Sequence, residues 1–208
     1  MKQYSSIGHE NISGESYHVY DKLDGSNMRA EWTKKKGFVK FGSRTQLVDA
    51  KTGPLGAFSI PLMQAQEELI SGVLGPLQVQ EATCFFEFFG PQSFAGVHQW
   101  EQDRDKFKVV LFDVTLYKKG FMMPKEFQKT FEGIVPLPNL LHIGNVTEDL
   151  VRQIKDGTLE GITEEGVVCK SSPLKNGYPP YCFKIKTEKW INRVKALYTD
   201  PKVLKELL

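Results

Sequence analysis

The string Lys22-Leu23-Asp24-Gly25-Ser26-Asn27 puts a lysine on a short turn, with a carboxylate two residues on. A lysine attacks as a nucleophile only when neutral, and nearby cations favour that form. Taken alone the string is also an ordinary surface turn, since Asp-Gly is a common turn pair. A later string supplies cations. Phe183-Lys184-Ile185-Lys186-Thr187 places two lysines at i and i+2, which in a strand is one face. Two cations on one face can hold phosphate oxygens and depress the pKa of a neighbouring lysine. Alternating lysines otherwise mark a solvated strand face. Glu165 opens the string Glu165-Gly166-Val167-Val168-Cys169-Lys170, and five steps along a strand put Lys170 on the face opposite Glu165.

Phe85-Phe86-Glu87-Phe88-Phe89-Gly90 buries a carboxylate position inside an aromatic strand. That is costly unless the carboxylate is paired or lines a polar pocket, so Glu87 reads as a site residue, the alternative being the exposed face of an edge strand. Phe112-Asp113 interrupts an apolar strand. Phe112 is either core or a flat platform for a purine base. Arg44, in Gly42-Ser43-Arg44-Thr45, stands just past a strand, where a guanidinium can hold a phosphate bidentately. Lys34-Lys35-Lys36 reads as a solvated hairpin tip.

These residues need a scaffold to position them. Alternation predicts strands over 16–20, 27–32, 38–41, 82–89, 107–117, 166–170 and 181–186. Helical spacing predicts a helix over 61–70. Pro124 opens another over 124–131. Thr147 caps one through Lys155, with Gly157 past its end, and Thr187 starts one to about Tyr198. A short helix is expected over 201–208. The class is α+β, with mixed, mostly antiparallel sheets.

The 208 residues fit one mixed domain, taken as 1–208. Lys plus Arg total 27 against 25 Asp plus Glu, a net charge of +2, which argues against a highly basic coat protein or an acidic disordered tail. A local basic groove remains compatible with that balance. Cys84, Cys169 and Cys182 lie among apolar neighbours and read as buried strand residues of a reducing compartment. No apolar run approaches the roughly 20 residues of a spanning helix. The start, MKQYSSIGHE, lacks the apolar core of a secretory signal. No membrane association and a cytoplasmic location are expected. The four histidines have no metal-ligand spacing, and no P-loop or dinucleotide fingerprint occurs.

KLDGSN, FFEFFG, VVLFDV, EGVVCK and FKIKT resemble, in order and approximate spacing, the five motifs of the covalent nucleotidyltransferases. Those motifs are shared by DNA ligases, RNA ligases and capping guanylyltransferases. The opening Tyr4-Ser5-Ser6-Ile7 with Glu10-Asn11, the Asn27 after KLDGS, and Ser43-Arg44-Thr45 look most like the RNA ligase 2 family of RNA-repair ligases. The resemblance implies an adenylylation domain whose sheets flank a nucleotide pocket. It implies an ATP-dependent RNA ligase that joins 3′-OH and 5′-phosphate ends through lysyl-AMP. By the same resemblance Lys22 is the nucleophile, and Asp21, Glu87, Phe112, Lys184 and Lys186 bind the nucleotide. Glu87 would hold the ribose hydroxyls, Phe112 would stack on adenine, and the two lysines would contact the α-phosphate. Glu165 and Asp24 would serve Mg²⁺ or Mn²⁺, and Asn27 and Arg44 would place the nucleic-acid ends. The implied partner is RNA, as a nicked duplex or an RNA:DNA hybrid, bound by a monomer. Typical relatives continue into a further domain, so this chain reads as the catalytic domain alone, either natural or truncated, and whether a partner protein replaces that domain is left open by the sequence. The alternatives are a DNA nick ligase, a capping guanylyltransferase using GTP, and a non-catalytic nucleotide- or RNA-binding module.

Overall fold

Two five-stranded sheets organise the protein in a computed structural model, which describes residues 3–4, 7–9, 16–51, 53–171 and 181–208. The chain gathers into two compact units, one per sheet. One holds 25–137 together with Gln3 and Tyr4. The other holds 7–9, 16–24, 138–171 and 181–208.

The first unit contains β3 (Ser26–Thr33), β4 (Gly37–Ser43), β5 (Glu81–Phe89), β6 (Lys108–Leu116) and β7 (Gly120–Phe121), where β1 and β2 belong to the other unit. Their order is β4-β3-β5-β6-β7, all antiparallel. Period-two alternation gives this sheet two different faces. Met28, Ala30, Cys84, Phe86, Leu111 and Val114 are buried on one face. That face packs against α1 (Pro54–Gln64), α2 (Glu67–Leu74) and α3 (Pro124–Phe131), through side chains such as Met63, Ile70 and Phe131. Removing such residues from water is the main stabilising term, at about 1.5–3 kcal/mol per large apolar side chain. The other face carries the polar side chains described below.

The second unit contains β1 (Gly8–His9), β2 (Ser16–Asp21), β8 (Leu140–Asn145), β9 (Gly166–Ser171) and β10 (Cys182–Lys186), in the order β1-β10-β9-β2-β8. Only the β1–β10 pair among these is parallel. Tyr17, Val19, Val167, Cys169, Phe183 and Ile185 bury one face with Leu150, Val151 and Ile154 of α4 (Glu148–Asp156). The Thr147 side chain accepts the Leu150 N–H at the start of α4, and Gly157, at φ 69, ends it in the left-handed conformation. α5 (Glu188–Leu197) is capped in the same way by Thr187, and α6 (Pro201–Leu207) by Asp200.

The expected strands and the α+β class are present. The predicted helix over 61–70 is instead two helices, broken at Ala65-Gln66. Gln66 is drawn inward and donates Nε2 to the Val109 carbonyl at 3.1 Å, a tertiary bond with no periodic signature. Pro54 opens α1 as a first-turn proline, and Pro61 lies inside it. β8 escapes alternation because none of its residues is buried, and β1 and β7 are two residues long. Cys84 and Cys169 are buried and Cys182 is half-buried, all as free thiols. Among the described residues no helix is long and apolar enough to cross a membrane.

Candidate functional site

Lys22 leaves β2 with its backbone N–H donated to Gly166 O at 2.9 Å, which ties the lysine turn to the start of β9. Its Nζ lies 2.9 Å from Glu165 Oε1. Lys186 Nζ lies 3.0 Å from the same oxygen. Two ammoniums therefore share one carboxylate oxygen. Glu165 is 4% exposed and Lys186 8%, so little water screens the cluster. Burial pushes the Lys186 ammonium down to about 8, and the charges of Lys22 and Lys184 act in the same direction, against the pull of Glu165. Lys186 also donates to the Leu207 carbonyl and sits over the Trp190 ring, 3.7 Å from its centroid.

Gly166 makes this arrangement local. Its φ is +139, and a Cβ there would strike the Ile185 carbonyl and stand 2.8 Å from Lys186 Cα. The strand register places Lys170 differently from simple parity. Parity counted from Glu165 puts Lys170 on the opposite face. Glu165 lies just outside β9, and Gly166 pairs with Lys186 while Lys170 pairs with Cys182. Lys170 thus shares the face of Lys184 and Lys186, buried against the Tyr20 ring at 5.6 Å.

Asp21 is on the core face of β2. Its Oδ1 accepts Thr163 N at 2.8 Å and Thr163 Oγ1 at 3.0 Å. Its Oδ2 is buried with no hydrogen-bond partner among the described residues. Burial raises its pKa, opposed by the Thr163 bonds. Asp24 Oδ2 accepts the Trp190 indole N–H at 2.7 Å.

The face of the first sheet away from the helices holds Asn27, Arg29, Phe85, Glu87 and Asp113, as the strand register requires. Asn27 pairs with Glu87, Arg29 with Phe85, and Phe85 with Asp113. Phe86 then pairs with Leu111, so Phe112 is the extra residue of a β-bulge. A bulge re-aims a side chain, and here it brings Phe112 onto the Glu87 face, where it stays half-buried. The Tyr4 ring meets Phe112 edge-on at 5.0 Å, and the Tyr4 hydroxyl donates to Asp113 Oδ2 at 2.9 Å. Asn27 Oδ1 is buried and has no hydrogen-bond partner among the described residues. Arg44 is exposed just after β4, and its carbonyl accepts Arg29 Nη1 at 3.2 Å.

The structure thus groups Lys22, Glu165 and Lys186 directly, sets Lys184 on the Lys186 face, and pairs Asn27 with Glu87. Sequence reasoning missed Trp190, Thr163 and Arg29. Arg29 had a signal, since it shares strand parity with Asn27 and is a charge inside a buried strand. Trp190 had only its place in the first turn of a helix following the lysine pair. Thr163 lies in a loop and had none.

Among the described residues no group of three His, Cys, Asp or Glu side chains could hold a metal. Glu165 is the buried carboxylate of the lysine cluster, and its Oε1 is shared by Lys22 and Lys186.

No curated protein matches the sequence. Solved structures match its fold. A mutant of the Naegleria gruberi RNA ligase with AMP and Mn superposes with a TM-score of 0.66 at 15% identity, covering 94% of this chain and 58% of that one. The same enzyme with PPi gives 0.65 at 18% identity, with the same coverages. A protein from Aquifex aeolicus, provisionally named an ATP-dependent DNA ligase, gives 0.64 at 19% identity, covering 99% of this chain and 57% of that one. The chain spans a little over half the length of these structures. A family model described as RNA ligase matches residues 15–190, and by that match the chain belongs to the RNA ligase family.

Proposed function

We propose that this chain is the nucleotidyltransferase domain of an ATP-dependent RNA ligase, with Lys22 as the residue that carries AMP. The observation that carries the reading is the shared Glu165 oxygen, 2.9 Å from Lys22 and 3.0 Å from Lys186. A carboxylate wedged between two lysines is costly as architecture and useful for phosphate chemistry.

In the resting cluster the Lys22 ammonium is paired with Glu165. Before attack it must lose a proton and leave that oxygen. The Nζ lone pair then attacks the α-phosphorus of ATP, the bond to the bridging oxygen breaks, and pyrophosphate leaves. Lys184 and Lys186 offset the charge that grows on the α-phosphate oxygens. For this, Lys186 exchanges its hold on Glu165 or on the Leu207 carbonyl for a phosphate oxygen. A divalent ion, Mg²⁺ or Mn²⁺, held at Glu165 and the phosphates, would supply further charge neutralisation. Asp24 is engaged with Trp190, so its assignment to the metal stands second to that of Glu165. Asp21 Oδ2, with no hydrogen-bond partner among the described residues, suits an amine donor, such as the one that adenine has and guanine lacks at the six position. Glu87 is proposed for the ribose hydroxyls and Phe112 for the base. Asn27 and Arg44 would serve the RNA ends, with AMP passing to a 5′-phosphate and a 3′-hydroxyl then displacing it.

The test is incubation with α-labelled ATP, or separately GTP, with Mg²⁺ or Mn²⁺. Label is expected from ATP alone, and Lys22→Arg should abolish it, because arginine does not deprotonate in a protein. Label from GTP alone would move the chain to the capping chemistry. No label from either would make it a binding module. Nicked RNA, RNA:DNA and DNA duplexes then rank the substrates.

A further inference from the structure

We propose that Trp190 is a positioning residue that holds the lysine turn and the phosphate-binding lysine with a single side chain. The inference rests on the ligase reading above.

Trp190 is 1% exposed, and both faces of its usefulness are visible. Its Nε1–H donates to Asp24 Oδ2 at 2.7 Å, two residues past Lys22. Its ring carries Lys186 Nζ at 3.7 Å from the centroid. An indole is the one side chain that offers a hydrogen-bond donor at its edge and the strongest cation-binding face at the same time. The backbone that carries the ring is fixed as well. Thr187 Oγ1 accepts the Trp190 N–H at 3.1 Å and donates to Glu164 O at 2.6 Å, and Thr187 N donates to Glu165 O at 3.1 Å. The same capping turn therefore anchors the tryptophan and the backbone of the carboxylate between the two lysines. A tryptophan serving only as core would neither donate to Asp24 nor seat a cation.

The two contacts can be separated. Trp190→Phe keeps a ring for Lys186 and removes the donor to Asp24. Trp190→Leu removes both. With the label assay run on wild-type chain under single-turnover conditions, Trp190→Phe should slow lysyl-AMP formation at saturating ATP by roughly tenfold, equivalent to about 1.4 kcal/mol. It should leave the ATP concentration for half-maximal rate within about twofold. Trp190→Leu should raise that concentration as well, because Lys186 loses its seat. The Trp190→Phe/Asp24→Ala double variant should be no slower than the slower single, since both break one bond. A merely structural tryptophan would lower the melting temperature and leave the rate per folded molecule unchanged in Trp190→Phe, and that result would overturn the proposal. So would rate losses that multiply in the double variant. Wild-type chain that takes no label would remove the parent reading and this one together, which distinguishes it from a labelled wild type with an unaffected Trp190→Phe.

Discussion

Glu165 holds two lysines on one oxygen, so removing its charge should cost far more than an ordinary surface pair. At an effective dielectric of about 20, a unit pair at about 3 Å is worth roughly 5 kcal/mol before desolvation is subtracted. The two distances are 2.9 and 3.0 Å, with the Glu165 side chain 5% exposed and the Lys186 side chain 7%. Breaking a buried pair by removing one partner typically costs about 3–5 kcal/mol, because the other charge stays buried and uncompensated. Glu165→Gln should therefore lower the melting temperature by on the order of 10 °C in a domain of this size. The stranded charge is chiefly Lys186, since the Lys22 side chain is 23% exposed and can take up water. Replacing that charge as well should repair the damage. Glu165→Gln/Lys186→Met should recover at least half of the loss seen in Glu165→Gln alone. The assay is a double-variant cycle by urea unfolding at pH 7, with melting temperature as the second readout. A double variant whose loss equals the sum of the two single losses would show that the lysine and the carboxylate do not sense each other, and the clamp argument would fail. So would a Glu165→Gln melting temperature within about 2 °C of wild type.

Lys186 also gives a pH signature. Its folded pKa of about 8 is below the ordinary 10.5, so the unfolded chain binds more protons between those values and stability from this group rises with pH there. Relative to Lys186→Met, wild type should gain on the order of 3 kcal/mol between pH 7 and 10.5, read from urea midpoints, and a flat or falling difference would contradict the burial argument. Gly166→Ala should destabilise by at least about 1–3 kcal/mol from backbone strain alone and reduce labelling of Lys22, and a stable, fully labelled variant would mean that the β9 entry tolerates a side chain. Phe112→Ala should weaken ATP binding by about 1–3 kcal/mol while costing less in stability than the roughly 3–5 kcal/mol of a core phenylalanine. A large melting-temperature loss with unchanged ATP affinity would return Phe112 to the core.

The sequence by itself determined the residue types and their local geometry. Two lysines at i and i+2 in a strand must share a face, and Lys184 and Lys186 do. Thr147 and Thr187 before acidic first turns must cap helices, and both accept the expected N–H. The carboxylate at Glu87 in an aromatic strand pointed to the face that is not core. Tertiary structure decided what depends on bonds between distant segments. Counting from Glu165 misplaced Lys170 because Glu165 lies before β9, outside the ladder whose pairing sets the faces. The bulge that re-aims Phe112 comes from the pairing of β5 with β6, which neither strand encodes alone. Gln66 breaks a helix for a carbonyl 43 residues away, and Trp190 reaches Asp24 across 166 positions. Periodicity reports which side of an element is apolar. It is silent on which polar group a buried donor will find, because that choice is made by the packing of the whole unit.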